Sequence, residues 1–202
     1  MTMLTVAQAR PSERADFIQK TYLHLAGAVG AFVLVEYFLF QSGIAQMITQ
    51  FVSGSRFTWL LLLGGVSLLG WMSRSFAAKA DDTNMQYLGL GLYVVGQAII
   101  FAPMLSIANL MTPDGSIITT AGVLTLAMFG GLTAIAFTTK KDFSFLGGVL
   151  KIGGFIAIGL ILCSILFGFT LGLVFSVVMV AFASAAILYD TSKVMHHYST
   201  RH

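Results

Sequence analysis

The sequence predicts an all-α membrane protein: a polytopic helix bundle with six transmembrane helices in this chain. Of its 202 residues, 57% are hydrophobic and only 9% are charged. Soluble domains carry about 25% charged residues, so a water-soluble fold could not bury this much apolar surface. The lipid bilayer is therefore the expected solvent of the folded chain.

Charged residues divide the chain into apolar blocks. A helix needs roughly 20 apolar residues to span the hydrocarbon core. The uncharged run from residue 152 to 189 would be about 57 Å long as a single helix, nearly twice the core thickness of about 30 Å. It must fold back, and the glycine-rich "FGFTLG" at 167–172 is the predicted hairpin. The predicted helices cover residues 21–41, 57–77, 85–107, 116–138, 148–167 and 171–191.

The distribution of basic residues predicts the orientation. Every Lys and Arg except Arg56 falls on one side of the membrane if the N-terminus is cytoplasmic, as the positive-inside rule requires. Residues 1–20 are mixed and charged, unlike a signal peptide, and are predicted to be a cytoplasmic segment before a single transmembrane domain at 21–202. The chain lacks an N-glycosylation sequon, which favours a bacterial inner (plasma) membrane protein.

Catalytic motifs are absent from the sequence. There is no His-Glu-x-x-His, no Gly-x-Ser-x-Gly and no phosphate-binding loop, and Cys163 alone cannot form a CxxC pair. No long basic and aromatic stretch indicates nucleic acid. We therefore expect no enzyme, no cofactor and no nucleic-acid partner. Lys140, Lys141 and Asp142 are interpreted as solvated loop charges.

Three ionisable residues are candidates for function. Asp190 ends the last predicted helix, where a negative charge opposes the helix dipole. Glu36 lies in the outer half of the first helix, and ionisable groups at membrane depth are costly and often functional. Arg74 ends the second helix beside Trp71. Each also has an ordinary explanation: an interfacial carboxylate for Asp190, a water-exposed lip residue for Glu36 and an interface anchor for Arg74.

Four segments together resemble one family. They are "ILYDTSKV" at 187–194, "KKDFSFLGGVL" at 140–150, "TYLHLAGAV" at 21–29 and "WMSR" at 71–74. The chain resembles the transmembrane Bax-inhibitor-motif family in its bacterial branch. This resemblance implies six helices around a central seventh helix, and a pH-sensitive leak of calcium across the membrane.

The resemblance also implies roles for two residues. Asp190 matches the aspartate of the "LYD" motif, which in bacterial relatives pairs with a second aspartate on the seventh helix. Arg74 stands for a basic residue linked to that pair, although Ser73 and Ser75 replace a basic cluster. The sequence stops at His202 without a seventh helix, so we expect it to be a fragment.

The sequence is compatible with two functions. The leading one is a pH-sensitive calcium leak channel, gated by protonation of buried carboxylates, with Asp190, Arg74 and Glu36 as ion pathway and gate. Its partners would be the lipid bilayer and calcium, as the transported ion. The alternative is a regulator that binds other membrane proteins, such as a protease or a cell-death or stress factor, without transport. That alternative predicts activity that survives neutralisation of Asp190.

Overall fold

The chain is helical throughout residues 11–79, 82–139 and 141–196, the parts that the computed structural model describes, apart from short turns. Arg10, Lys140 and Arg201, which contributed to the orientation argument, lie outside those residues. Six of the seven helices there are long and apolar enough to span a membrane. The helices are α1 (Pro11–Gln41), α2 (Ile44–Ser53), α3 (Arg56–Ala77), α4 (Thr83–Met111), α5 (Ser116–Thr139), α6 (Leu146–Phe167) and α7 (Gly172–His196).

The predicted all-α class and the six spans are confirmed, but several helix ends are displaced. α1 begins at Pro11, well before the predicted start, and α7 continues to His196 instead of ending near 191. The prediction followed apolarity, which stops near the membrane boundary. Backbone hydrogen bonding continues into polar turns, because Glu, Lys and similar residues are good helix formers.

The hairpin predicted at 167–172 is confirmed. α6 ends at Phe167 and α7 begins at Gly172, and both Gly168 (φ 74°) and Gly172 (φ 69°) adopt the left-handed conformation. A side chain is strained in that region, whereas glycine is not. The Ser164 hydroxyl donates to the carbonyl of Phe169 at 2.6 Å, which satisfies a turn carbonyl.

The short helix α2 was not predicted. It lies between the first two predicted spans, and its ten residues are too few to span the membrane. Gly43, with φ 79°, turns the chain out of α1 and precedes α2. Ala45 and Val52, two turns apart, are buried, whereas Met47 and Phe51 are exposed. This amphipathic pattern packs one face of α2 against neighbouring helices and leaves its apolar outer face exposed.

The described chain forms two compact units. The N-terminal unit is Gln19–Thr119, and the C-terminal unit comprises the described residues from 120 to 196 together with residues 11–18. The boundary falls inside α1 and α5, so it does not follow helix ends.

In the N-terminal unit, α3 and α4 form a close antiparallel pair. A Cβ atom at Gly89 of α4 would lie 2.7 Å from the carbonyl oxygen of Ser73 and 3.0 Å from the amide nitrogen of Ala77. The buried Ser73 hydroxyl donates to the Gly89 carbonyl at 2.6 Å. Small residues permit this approach of two helix backbones, and the hydroxyl adds an interhelical hydrogen bond.

Helix α1 packs beside α4 and runs in the same direction. Along both helices, His24 meets Tyr87 first, with Nε2 2.9 Å from the tyrosine hydroxyl, and Phe32 then meets Phe101 edge to face. The same stretch of α4 contributes to a small apolar core formed by Leu39, Ala45, Ala98 and Ala102. The core therefore joins the end of α1 and the start of α2 to the middle of α4.

In the C-terminal unit, aromatic rings of α7 cover glycines of α6. A Cβ atom at Gly147 would lie 2.8 Å from the Tyr189 ring, and one at Gly153 would lie 2.8 Å from the Phe182 ring. Phe182 and Tyr189 are seven residues apart, so they lie on one face of α7. This face fixes how α7 is rotated against α6.

The outer surfaces of both units are strongly apolar. Leu23 is 69% exposed, Phe155 79% and Leu173 79%. Side chains of this kind are buried in soluble proteins, whereas lipid tails solvate them in a bilayer. Together with the six spans, this surface makes the chain an integral membrane protein.

The close contact at Gly89 predicts a difference between neighbouring glycines. Gly89→Ala should destabilise the protein by about 1–3 kcal/mol, because its new methyl group meets backbone atoms that cannot move independently. Gly91→Ala is the matched control, since a Cβ there has open space around it. It should be neutral or stabilising by up to about 1 kcal/mol through helix propensity. Thermal unfolding in detergent measures both, and the contact is refuted if Gly89→Ala melts no lower than Gly91→Ala.

Candidate functional site

Glu36 is a buried carboxyl group in the N-terminal unit. It is only 6% exposed, and neither of its oxygens has a hydrogen-bond partner among the described residues. It lies on α1 about one turn before Leu39, which belongs to the apolar core. The alternative of a water-exposed lip residue therefore does not describe its position.

A second unpartnered polar atom lies near the same core. The hydroxyl of Ser106, on α4, is buried and lacks a hydrogen-bond partner. Ser106 follows Ala102 of the core by one turn on α4, whereas Glu36 precedes Leu39 of the core by one turn on α1. A buried polar group without a partner costs roughly 1–3 kcal/mol, and an ionised one costs more. Burial of the Glu36 carboxyl group therefore favours a proton, a cation or an ordered water beside it.

Arg74 lies at the opposite end of the N-terminal unit. Its side chain is exposed in the last turn of α3, next to the contact of Ser73 with Gly89. The stretch of α4 from Gly89 to Ala102 is about 20 Å long. The structure therefore does not bring Arg74 and Glu36 together, and their shared role in one pathway stays a prediction.

Asp190 lies on α7 in the C-terminal unit, and its surroundings differ from the expectation in two ways. α7 continues to His196, so Asp190 is not at the helix end. Its side chain is exposed, not buried. The reason is the face of the helix: Tyr189 and Ser192 turn toward neighbouring elements, and Asp190 is rotated about 100° from Tyr189.

Asp142 is an exposed loop charge, as interpreted, and it also accepts hydrogen bonds that the sequence analysis did not predict. Its Oδ1 accepts hydrogen bonds from the amide of Ser144 at 2.9 Å and from the Ser144 hydroxyl. It also accepts one from the Ser192 hydroxyl at 3.3 Å. The Ser144 side chain, then its amide, hold the pKa of Asp142 below its usual value. An Asp-x-Ser segment predicts the turn formed with Ser144, but only the fold could reveal Ser192.

Sequence reasoning also missed Ser73 and Ser106. Ser73 was noted only as a departure from a basic cluster, yet it joins α3 to α4 through a buried hydrogen bond. Hydroxyl residues in membrane helices often bond across helices, and that tendency was the available signal. Which hydroxyl does so depends on helix packing, which the sequence alone does not show.

No group of three or more His, Cys, Asp or Glu side chains that could hold a metal ion occurs among residues 11–79, 82–139 and 141–196. Calcium takes about 6–8 oxygen ligands in proteins. The described carboxylates therefore do not form a calcium storage site on their own.

A comparison with protein families decides the relationship of this chain. The family model described as "Inhibitor of apoptosis-promoting Bax1" matches residues 14–202. The chain belongs to the Bax inhibitor family. The expected resemblance is thus confirmed, and it covers nearly all of the chain.

Bacterial relatives agree with this assignment to the Bax inhibitor family. An uncharacterized membrane protein of Vibrio cholerae is 30% identical over 174 residues, which cover 85% of this chain and 76% of that protein. A Campylobacter jejuni protein is 28% identical over 194 residues, covering 92% and 78%. A Pseudomonas aeruginosa protein is 41% identical over 95 residues, only 46% of this chain and 43% of that protein. No solved structure matches the chain.

The isolated carboxyl of Glu36 predicts a gain in stability on its removal. Glu36→Leu keeps a similar volume and removes two unsatisfied oxygens, so the free energy of unfolding should rise by about 1–3 kcal/mol. Glu13→Leu, at an exposed position in the first turn of α1, should change it by less than about 0.5–1 kcal/mol. Thermal unfolding of the purified variants is the measurement. A Glu36→Leu protein less stable than its parent would mean that Glu36 has a stabilising partner.

Proposed function

We propose that this Bax inhibitor family member lets calcium ions leak down their gradient across the membrane, and that protonation of carboxyl groups sets the leak rate. The observation that carries the proposal is the buried carboxyl of Glu36, with both oxygens unpartnered inside a membrane-spanning helix. Soluble cores rarely tolerate such a group, and in membrane proteins it marks an ion or proton pathway.

The chemistry of the carboxyl groups supports calcium as the ion. Calcium is a hard cation that binds oxygen ligands, and Glu36 and Ser106 offer unpartnered oxygens within the N-terminal unit. A site with few fixed ligands is better suited to ion conduction than to tight ion binding, because a conducted ion must bind weakly enough to leave. Protonation of a carboxyl would remove a negative charge that attracts the cation.

Asp190 is proposed as the pH-responsive group, and Arg74 as a modulator. Asp190 matches the "LYD" aspartate of the family, and its carboxylate stands within the long span α7. Arg74 supplies a positive charge in the last turn of α3. A positive charge near an ion path raises the energy of a passing cation.

The proposed orientation places the N-terminus in the cytoplasm of a bacterium, with the protein in its inner membrane. The basis is the charge distribution of the whole sequence, in which Arg56 alone lies on the outer side. The bacterial origin of the relatives supports the choice of membrane.

A second candidate is a regulator that binds other membrane proteins without transport. The exposure of Asp190 favours it, because the carboxylate is not enclosed as an ion gate would require. Under this candidate the regulatory activity should survive neutralisation of Asp190, and there is no calcium flux for the substitution to change.

Asp190→Asn should separate these two functions. The change keeps the volume and removes the charge, so the calcium flux should lose most of its pH dependence, while an amide can still form hydrogen bonds and preserve folding. Flux through purified protein in liposomes should be measured across about pH 5–8, the range in which carboxyl groups in low-dielectric surroundings take up protons.

The matched control is Asp16→Asn, at an exposed position near the start of α1, which should keep the parent profile. Arg74→Ala should alter the profile more weakly than Asp190→Asn. An Asp190→Asn protein that gives the parent's flux at every pH would reject Asp190 as the pH-responsive group and favour the regulator.

A further inference from the structure

The end of α7 is tied to the loop that connects α5 and α6. The Ser192 side chain is only 1% exposed. Its Oγ accepts a hydrogen bond from the amide of Phe143 at 2.9 Å and donates one to Asp142 Oδ1 at 3.3 Å. These are contacts between residues about 50 positions apart, so they depend on the fold and not on local sequence.

The hydrogen atoms in this contact can be assigned. His196 Nδ1 lies 3.0 Å from the carbonyl oxygen of Ser192 and 3.4 Å from its Oγ. A carbonyl only accepts, so Nδ1 carries a hydrogen and donates to it. The single hydroxyl hydrogen of Ser192 is then available to Asp142. Each donor therefore has its own acceptor, and no two acceptors compete for the same hydrogen atom.

Tyr189, one residue before Asp190, makes a second contact that holds α7 in place. The Tyr189 ring lies against Gly147 of α6, where an added Cβ would approach the ring to 2.8 Å. The Lys193 ammonium lies 5.7 Å from the centre of the same ring. Tyr189 and Ser192 thus fix α7 on both sides of Asp190 in the sequence.

We propose that one group of contacts fixes both the rotation of α7 about its axis and its position along that axis, so that the Asp190 carboxylate points in one direction. This group, here called the α7 clamp, consists of Asp142, Ser144, Gly147, Tyr189 and Ser192. A slip of one residue would turn that carboxylate by about 100° and move it by about 1.5 Å. The clamp residues are positioning residues for Asp190. This inference rests on the proposed function for its effect on calcium flux, but its geometric part does not.

The α7 clamp itself stays closed over the pH range in which the leak is proposed to respond. Hydrogen bonds from Ser144, first from its hydroxyl, lower the pKa of Asp142. A lowered pKa in the folded state means that the stabilisation is present above the unfolded value of about 3.9 and is lost only as the pH falls through the lower folded value. Between about pH 5 and 8, Asp142 is therefore a constant anion. The other ionisable groups on the described parts of these elements are Tyr189, Asp190, Lys193 and His196 on α7, Lys141 on the loop, and the exposed Lys151 and Cys163 on α6.

Two adjacent glycines provide the first test. Gly147→Ala places a methyl group against the Tyr189 ring, whereas Gly148→Ala places one in open space. Both substitutions favour helix formation equally, so they differ only in the contact with α7. Calcium flux of the purified variants should be recorded against pH in liposomes. We expect Gly147→Ala to change the flux by on the order of three- to thirty-fold in at least part of the pH range, and Gly148→Ala to retain the parent profile.

Asp142 provides the second test, through rescue by a conservative variant. Asp142→Ala removes the acceptor for Ser144 and Ser192 and should shift the profile as Gly147→Ala does. Asp142→Asn keeps a side-chain oxygen that can accept hydrogen bonds from Ser144 and Ser192, so it should restore the parent profile. A role of the negative charge itself would make both variants behave alike, and that result would overturn the clamp.

A geometric readout keeps the inference independent of calcium flux. In a Cys163→Ala background, Asp190→Cys introduces a single thiol whose rate of modification by a membrane-impermeant maleimide reports its exposure. Adding Gly147→Ala or Asp142→Ala should change this rate by about threefold or more, whereas Gly148→Ala and Asp142→Asn should not. Unchanged rates in all four proteins would overturn the inference. If the parent leaks no calcium while the rates change as expected, the proposed function fails and the clamp stands.

Discussion

Close approach between helices at glycine is the interaction on which each unit depends. In a bilayer no water is expelled when helices associate, so packing and interhelical hydrogen bonds must hold them together. At Gly89 the backbones of α3 and α4 come so near that a Cβ would lie 2.7 Å from a carbonyl oxygen, and the Ser73 hydroxyl bridges them at 2.6 Å. Gly147 and Gly153 serve the same purpose for α6 by receiving rings of α7.

These contacts determine where ionisable groups can be. The face of α7 that carries Phe182, Tyr189 and Ser192 is used for packing, and this leaves Asp190 on an exposed face. In the other unit, packing of α1 and α2 on α4 encloses Glu36 without supplying a donor. A fold selected only for stability would not keep that carboxyl group, whereas an ion or proton pathway requires one.

The sequence was sufficient to predict the membrane spans and the hairpin at 167–172, because both predictions compare the length of an apolar segment with the thickness of the membrane. It was not sufficient for α2, whose ten residues are too short for that measure, nor for the polar extensions of α1 and α7. Glu36 was singled out from its depth, but its burial depends on α4, which lies about 60 residues later. Ser192 and Asp142 meet across a similar separation, so only the folded chain reveals the α7 clamp.

Calcium flux through the unmodified protein tests the central claim of this account most directly. Purified protein in liposomes loaded with a calcium-sensitive dye should admit calcium faster than protein-free liposomes, and the rate should change across about pH 5–8 as carboxyl groups take up protons. A rate equal to that of protein-free liposomes at every pH would contradict the claim. A rate above that background but constant with pH would leave a leak without a carboxyl gate and contradict its mechanism.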